Sequence, residues 1–301
     1  MFTNVIVGVD ERQGGRDAVA LAKQLVAEDG QLALAYVYLA DRTPVRGSSG
    51  AFEAGERQRA LELLGAAREE ANLQADLLPA GSPSVGRGLH ELAESRHADL
   101  LVVGSTSHGL IGRVLVGDDT RHALGGAPCA VAVAPAGYAQ RPSSLREIGV
   151  GYNESPESEH ALTVARKLAA EHGARVSAFE AVSLPAYLLS GAAAPAATPP
   201  LGDVIEDLVE RARERIAALG GVEPHAAYGT AAEELALYRA SLDLLIIGSR
   251  SYGPIGRIVH GSVSAQLSRT ARCPLLVLTR GARERDGAGE LQPAREAEVS
   301  I

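Results

Sequence analysis

The feature that most constrains this chain is that it is written twice. An apolar strand pattern, Val5-Ile-Val-Gly-Val-Asp10, precedes a polar loop with Gly14 and Gly15, and Ala18, Leu21, Ala22 and Leu25 then keep the i, i+3, i+4, i+7 spacing of an amphipathic helix. The same order returns as Ile148-Gly-Val-Gly-Tyr-Asn153 followed by Ala161, Val164, Ala165 and Leu168, each helical position displaced by 143. Further on, Asp99-Leu-Leu-Val-Val-Gly104-Ser-Thr-Ser-His-Gly109-Leu-Ile-Gly112-Arg113 aligns with Asp243-Leu-Leu-Ile-Ile-Gly248-Ser-Arg-Ser-Tyr-Gly253-Pro-Ile-Gly256-Arg257, and Gly117 and Cys129 with Gly261 and Cys273, all displaced by 144. Chance does not hold such a register, so the chain is a tandem duplication.

Each copy alternates strands with helices. Gly30 and Gly173 read as helix stops, Leu32–Tyr38 and Val176–Val182 as second strands, and roughly Glu53–Asn72 and Asp203–Leu219 as the next helices. The stretches Asp41–Gly50 and Leu184–Pro200 read as loops. The fold class expected is α/β: two tandem open, parallel, five-stranded sheets with flanking helices, Rossmann-like. The expected division is 1–140 and 145–280, joined by a link at Tyr138–Leu145, with a charged tail at 281–301 read as disordered.

With 46% hydrophobic residues, no Trp and three Phe, two cores must be built from aliphatic side chains. The net charge of −8 argues against a nucleic-acid or anionic-lipid partner. No apolar run approaches the roughly 20 residues that span a bilayer, and no secretory leader pattern opens the chain, so the expected setting is cytoplasmic. Cys129 and Cys273 stand alone in apolar runs and suggest buried thiols, neither a disulfide framework nor a metal site.

Ligands of open parallel sheets bind beyond the carboxyl ends of the strands, where strand order reverses. The loops that meet there follow strand 1 (Asp10 or Asn153), strand 2 (near Val37 or Val182) and strand 4 (Gly104 or Gly248). The strand 4 loop is rich in glycines and hydroxyls and leads to a helix start at Asp118 or Ser262, a composition suited to cradling a phosphate. No G-x-x-x-x-G-K-S/T run, G-x-S-x-G elbow or H-E-x-x-H occurs, the eight His are scattered singly, and no catalytic residue is assigned.

On these residues the chain resembles the universal stress protein family in its tandem form, over Thr3 to about Arg280. The resemblance implies the adenine-nucleotide α-hydrolase-like fold and a ligand, namely ATP, alone or with Mg²⁺, or a related adenine nucleotide. ATP-binding members carry Gly, two residues, Gly, nine residues, then Gly followed by Ser or Thr, with an Asp closing strand 1. In the second half Gly248, Ser251, Gly261 and Ser262 fall on that spacing, with Ser251 replacing a Gly; Ser249, Arg250 and Val263 accompany them, and Asn153 and Val182 complete the site. In the first half the candidates are Asp10, Val37, Gly104, Ser105, Ser107 and Gly117, but Asp118 stands where the hydroxyl belongs. Two unit charges about 4 Å apart repel by roughly 4 kcal/mol at an effective dielectric near 20. Asp118 and Asp119 also suit a helix N-terminus without any ligand. Arg113 and Arg257 read equally as phosphate-facing or as solvated loop residues.

The expectation is therefore an adenine-nucleotide-binding stress or signalling protein without rapid chemistry, binding mainly in the second half. Alternatives are a nucleotide-free interaction module of the same fold or a slow ATPase. No S-G-G-x-D-S loop follows strand 1, which disfavours a hydrolase of the wider group. Family members pair edge strands, so Ala130–Ala134 and Leu275–Thr279 are expected to pair within the chain; further homo-oligomers and a protein partner stay open.

Overall fold

The computed structural model describes residues 1–40, 49–105, 122–184, 200–249, 263, 266–267 and 273–278, with 49–51 by backbone alone. The first half runs β1 (Phe2–Gly8), α1 (Gln13–Leu25), β2 (Val26–Leu39), α2 (Ser49–Glu70), β3 (Asp76–Ser82), α3 (Val85–Ser95), β4 (Leu100–Gly104) and β5 (Ala130–Ala134). The second runs β6 (Glu147–Gly151), α4 (Pro156–His172), β7 (Arg175–Val182), α5 (Leu201–Ala218), β8 (Glu223–Tyr228), α6 (Ala231–Tyr238), β9 (Leu244–Gly248) and β10 (Leu275–Leu278). The tail from 279 and the expected helix starts at Asp118 and Ser262 lie outside the described residues.

The strands form one ten-stranded sheet in the order β3-β2-β1-β4-β5-β10-β9-β6-β7-β8. Every neighbouring pair is parallel except β5 with β10, which is antiparallel, with Leu275 opposite Val133, Leu276 opposite Ala132 and Val277 opposite Val131. The expected edge pairing therefore forms within the chain and merges the two sheets into one. Both faces are continuous across it. One face packs Val5, Val7, Leu32 and Leu34 with α1, and Ile148, Val150, Ala132 and Leu276 with α4. The other packs Ile6, Ala35 and Val103 with Leu89 of α3, and Phe179, Ile247, Val131 and Val277 with Leu235 of α6.

Repeated polar contacts explain the repeated residues. Asp99, ahead of β4, accepts hydrogen bonds from the backbone N–H groups of Thr3 and Asn4 at 2.7 and 3.0 Å and from the Thr3 hydroxyl. Asp243 does the same for the N–H groups of Arg146 and Glu147 at 2.9 and 3.0 Å. Lys23 and Arg166 both cap the carbonyl end of the neighbouring helix, Lys23 at Ala71 O (2.6 Å) and Arg166 at Leu219 O (2.7 Å) and Gly220 O (2.8 Å). Gly173 stops α4 in the left-handed region at φ 65°, as its position suggests.

Gly30 does not stop α1. The helix ends at Leu25 and passes directly into β2, so Gly30 lies inside a strand. The register slips there, Phe2 pairing with Val26 and Asn4 with Gln31. A Cβ on Gly30 would sit 2.8 Å from Val26 Cγ2 and 3.1 Å from Phe2 O, so the glycine permits a close approach in an irregular ladder.

Cys129 and Cys273 are both buried, and neither is in a disulfide. Burial pushes the Cys273 thiol up to about 12. Two of the described histidines serve structure: Nε2 of His90 bonds Ala123 O and that of His172 bonds Gln24 O, the latter tying α4 to α1. Among the described residues no helix is long and apolar enough to cross a membrane.

One fully buried carboxylate fixes the link between halves. Asp17 on α1 accepts bonds from the N–H groups of Gly137 and Ala139, both at 2.8 Å, and from Gln13 Nε2 at 3.1 Å. Asp17→Ala leaves those donors unsatisfied, and urea unfolding should show a loss of about 3 kcal/mol. Residues 1–140 expressed alone should expose β5 and self-associate on size-exclusion chromatography; a stable monomer would contradict the role of the junction.

Candidate functional site

The carboxyl ends of β1, β2 and β4, and of β6, β7 and β9, each border a cavity. The first, of about 290 Å³, is lined by residues that include Asp10, Glu11, Arg12, Ala35, Val37, Leu89 and Gly104. The second, of about 430 Å³, is lined by residues that include Asn153, Ser155, Ser158, Phe179, Leu235, Gly248 and Ser249. The walls correspond: Gly8 meets Leu89 and Val103 where Gly151 meets Leu235 and Ile247. Charge separates them. The first is lined by two carboxylates and an arginine, whereas the described lining of the second contains no Asp, Glu, Lys or Arg.

The residue that closes β1 caps the following helix directly, whereas the one that closes β6 acts on the capping residue. Oδ1 of Asp10 accepts from Gly15 N (2.8 Å) and Arg12 N (3.1 Å). A Cβ on Gly15 would lie 2.8 Å from Asp10 N, which is why this turn takes glycine. In the second half Asn153 Oδ1 accepts from the Ser155 hydroxyl (2.7 Å) and N–H (3.3 Å). Ser155 in turn caps α4 by accepting from Ser158 N at 3.2 Å. The second helix thus caps itself, and its capping serines face the cavity.

Gly104 and Gly248 owe their identity to packing. A Cβ on Gly104 would collide with the carbonyl oxygen of Gly14, and one on Gly248 would fall 2.5 Å from Glu157 O, each in the first turn of the facing helix. Ser105 and Ser249 spend their N–H groups on Ala134 O and Leu278 O, both within the sheet. Their side chains are buried, and the Ser105 hydroxyl has no hydrogen-bond partner among the described residues.

Val37 and Val263 line the cavities, but Val182 does not. Phe179 O accepts from Tyr152 N as Ala35 O accepts from Val9 N, which makes Ala181 the counterpart of Val37. Strand alternation turns Val182 to the opposite face, against Ala212 and Ala226. Arg250, Ser251, Gly261, Ser262, Ser107 and Gly117 lie outside the described residues. The sequence reading missed Tyr152, Ser155, Ser158, Phe179 and Leu235. The signal for two of them was present, because Ser155-Pro-Glu-Ser158 after a strand is a helix-start pattern. Behind the second cavity Phe179 stacks on Tyr238 at 4.9 Å between centroids, and Tyr238 bonds the Ser177 hydroxyl. Burial raises the phenol of Tyr238, and burial followed by Glu159 raises that of Tyr152, so both stay neutral at physiological pH.

A twice-repeated 3-2-1-4-5 parallel sheet with a polar-rimmed cavity at the strand ends defines a duplicated Rossmann-like α/β protein. Residues 1–135 and 144–279 each match the Universal stress protein family, and the chain belongs to it. It is 27% identical over 217 residues to universal stress protein Rv2319c of Mycobacterium tuberculosis (strain ATCC 25618 / H37Rv), covering 65% of this chain and 69% of that one. The fold is shared with a universal stress protein from Archaeoglobus fulgidus DSM 4304, with a TM-score of 0.65, 18% identity and coverage of 91% and 97%. It is shared also with a putative universal stress protein from Pseudomonas aeruginosa UCBPP-PA14, at 0.61, 18%, 94% and 96%.

Because Gly104 and Gly248 answer to backbone contacts, Gly248→Ala should destabilise the protein by about 1–3 kcal/mol in denaturant titrations, whether or not a ligand is present.

Proposed function

We propose that this protein binds an adenine nucleotide, ATP in the first instance, chiefly in the cavity of the second half, and acts as a stress-response or signalling protein without rapid chemistry. The observation that carries this reading is the contrast between the cavities: the second is the larger and its described lining bears no carboxylate. A polyanionic ligand faces no fixed negative charge on that lining. In this reading Asn153 meets the adenosine through its amide, and Ala181, Ala231, Leu235 and Ile247 give the base an apolar wall. The phosphates then run toward the segment that follows Ser249, where Arg250, Ser251, Gly261 and Ser262 stand in the family's phosphate-loop spacing. Mg²⁺ would accompany the phosphates.

The first cavity favours the second reading, a nucleotide-free module, for its own half. It is smaller, it is lined by Asp10 and Glu11, and Oδ1 of Asp10 is committed to the start of α1. Each half, 1–140 and 145–280, is taken as one domain. Two buried thiols outside any disulfide fit a cytoplasmic setting.

Isothermal titration of ATP into wild type, Gly261→Asp and Ser262→Asp tests the assignment. Each carboxylate should weaken binding at least about tenfold, or about 1.4 kcal/mol. Unchanged affinity in both variants would remove the second half as the site.

A further inference from the structure

We infer that Arg215 is a positioning residue for the second cavity: it holds Glu154 outside, so that an anionic ligand meets Asn153 and Ser155 without the carboxylate between them. The inference rests on the nucleotide reading above, and it is carried by a backbone conformation, an ion-pair cluster and the contrast between the halves.

Glu154 sits between two cavity-lining residues yet is not part of the described lining. Its φ is 58°, in the left-handed region. The other described non-glycine residues with positive φ are Asn72 and His97, types that tolerate that region, whereas a glutamate is out of place there. What faces Glu154 is Arg215 of α5, with Nε 3.3 Å from Glu154 Oε2, an ion pair by distance and without hydrogen-bond geometry. Arg215 is itself anchored by Glu180 of β7, with Nη2 2.7 Å from Oε1. The Glu180 side chain is only 14% exposed, so the guanidinium is fixed from the side of the sheet and draws the second carboxylate toward α5.

In the first half the same acidic residue sits elsewhere. Glu11 is not among the described residues with positive φ, and it lines the cavity. The position of Glu180 is taken by Tyr36, whose phenol is raised by burial and then by the nearby Glu11. The position of Arg215, one residue before the buried Ile216, is taken by Leu63, one residue before the buried Leu64. With Leu63 in place of the arginine and Tyr36 in place of its glutamate anchor, the Arg215–Glu180 arrangement is missing, and the carboxylate lines the cavity.

The test transplants the pair of the first half into the second. Arg215→Leu together with Glu180→Tyr avoids leaving Glu180 without its cation, and both ATP and uncharged adenosine are titrated. ATP affinity should fall about tenfold while adenosine affinity changes by less than about twofold, because only the charged ligand senses the returning carboxylate. Adding Glu154→Gln should restore ATP affinity with the other two substitutions still present. Equal losses for both ligands, or no loss for ATP, would overturn the inference. If wild type binds neither ligand, the nucleotide reading fails by itself. Crystal structures of wild type and the double variant then decide the positioning role: Glu154 leaving the left-handed region supports it, and Glu154 keeping φ near its present value overturns it.

Discussion

The antiparallel pairing of β5 with β10 organises the molecule. Ala130 to Ala134 are all buried, and so are Leu275 to Leu278. An edge of that composition, left open, is a template for another chain. Pairing the two edges satisfies both ladders and lets Ala132 and Leu276 close one face while Val131, Val133, Leu275 and Val277 close the other. Because the strands are parallel within each half, the reversal at this junction sends the carboxyl ends of the two halves to opposite ends of the sheet. The two cavities therefore share no wall. The junction is braced beyond the ladder by His172 on Gln24 O and by the Met1 amine on Glu171, 3.0 Å in each case.

The chain between β5 and β6 must cross this junction, and Asp17 decides how. A fully buried carboxylate is expensive unless several donors satisfy it, and the turn after β5 supplies two backbone N–H groups. The bond runs from α1 to the link, and the first turn of α1 is also where Gly15 meets Asp10. The link is thereby fastened to the same helix that closes the first cavity, and buried Tyr138 and Leu145 pack it into the core.

The scaffold was legible in the sequence because its signals are local and doubled. Helical periodicity and the paired positions Asp99 and Asp243 each have one physical role in both halves, and Gly173 is a local stop for its own helix. The failures came where a residue's role is set by the sheet. Phe179, Ala181 and Val182 are all apolar, so no alternation marks which face each takes, and Val182 was assigned to the cavity on the wrong parity. Gly30 carries the mark of a helix stop, but its role is to let β2 approach Phe2. Glu154 carries no local signal at all: its conformation is tied to an arginine on α5, far along the chain.

Gly104 and Gly248 change what the shared glycine spacing means. Each is glycine because the end of a strand touches the first turn of a helix, a contact that the fold needs with or without a ligand. That glycine therefore reports the scaffold. In the proposed reading, competence for an anion rests on what differs at the cavity rims: Asp10 and Arg12 stand against Asn153 and Ser155, and Glu11 lines its cavity where Glu154 does not line the other. Duplication kept Asp99 with Asp243, Lys23 with Arg166 and Gly104 with Gly248, and let charge drift around them. One such scaffold can carry, among the described residues, one charged and one uncharged cavity lining because the residues that hold the sheet together are not those that set the charge at the rim.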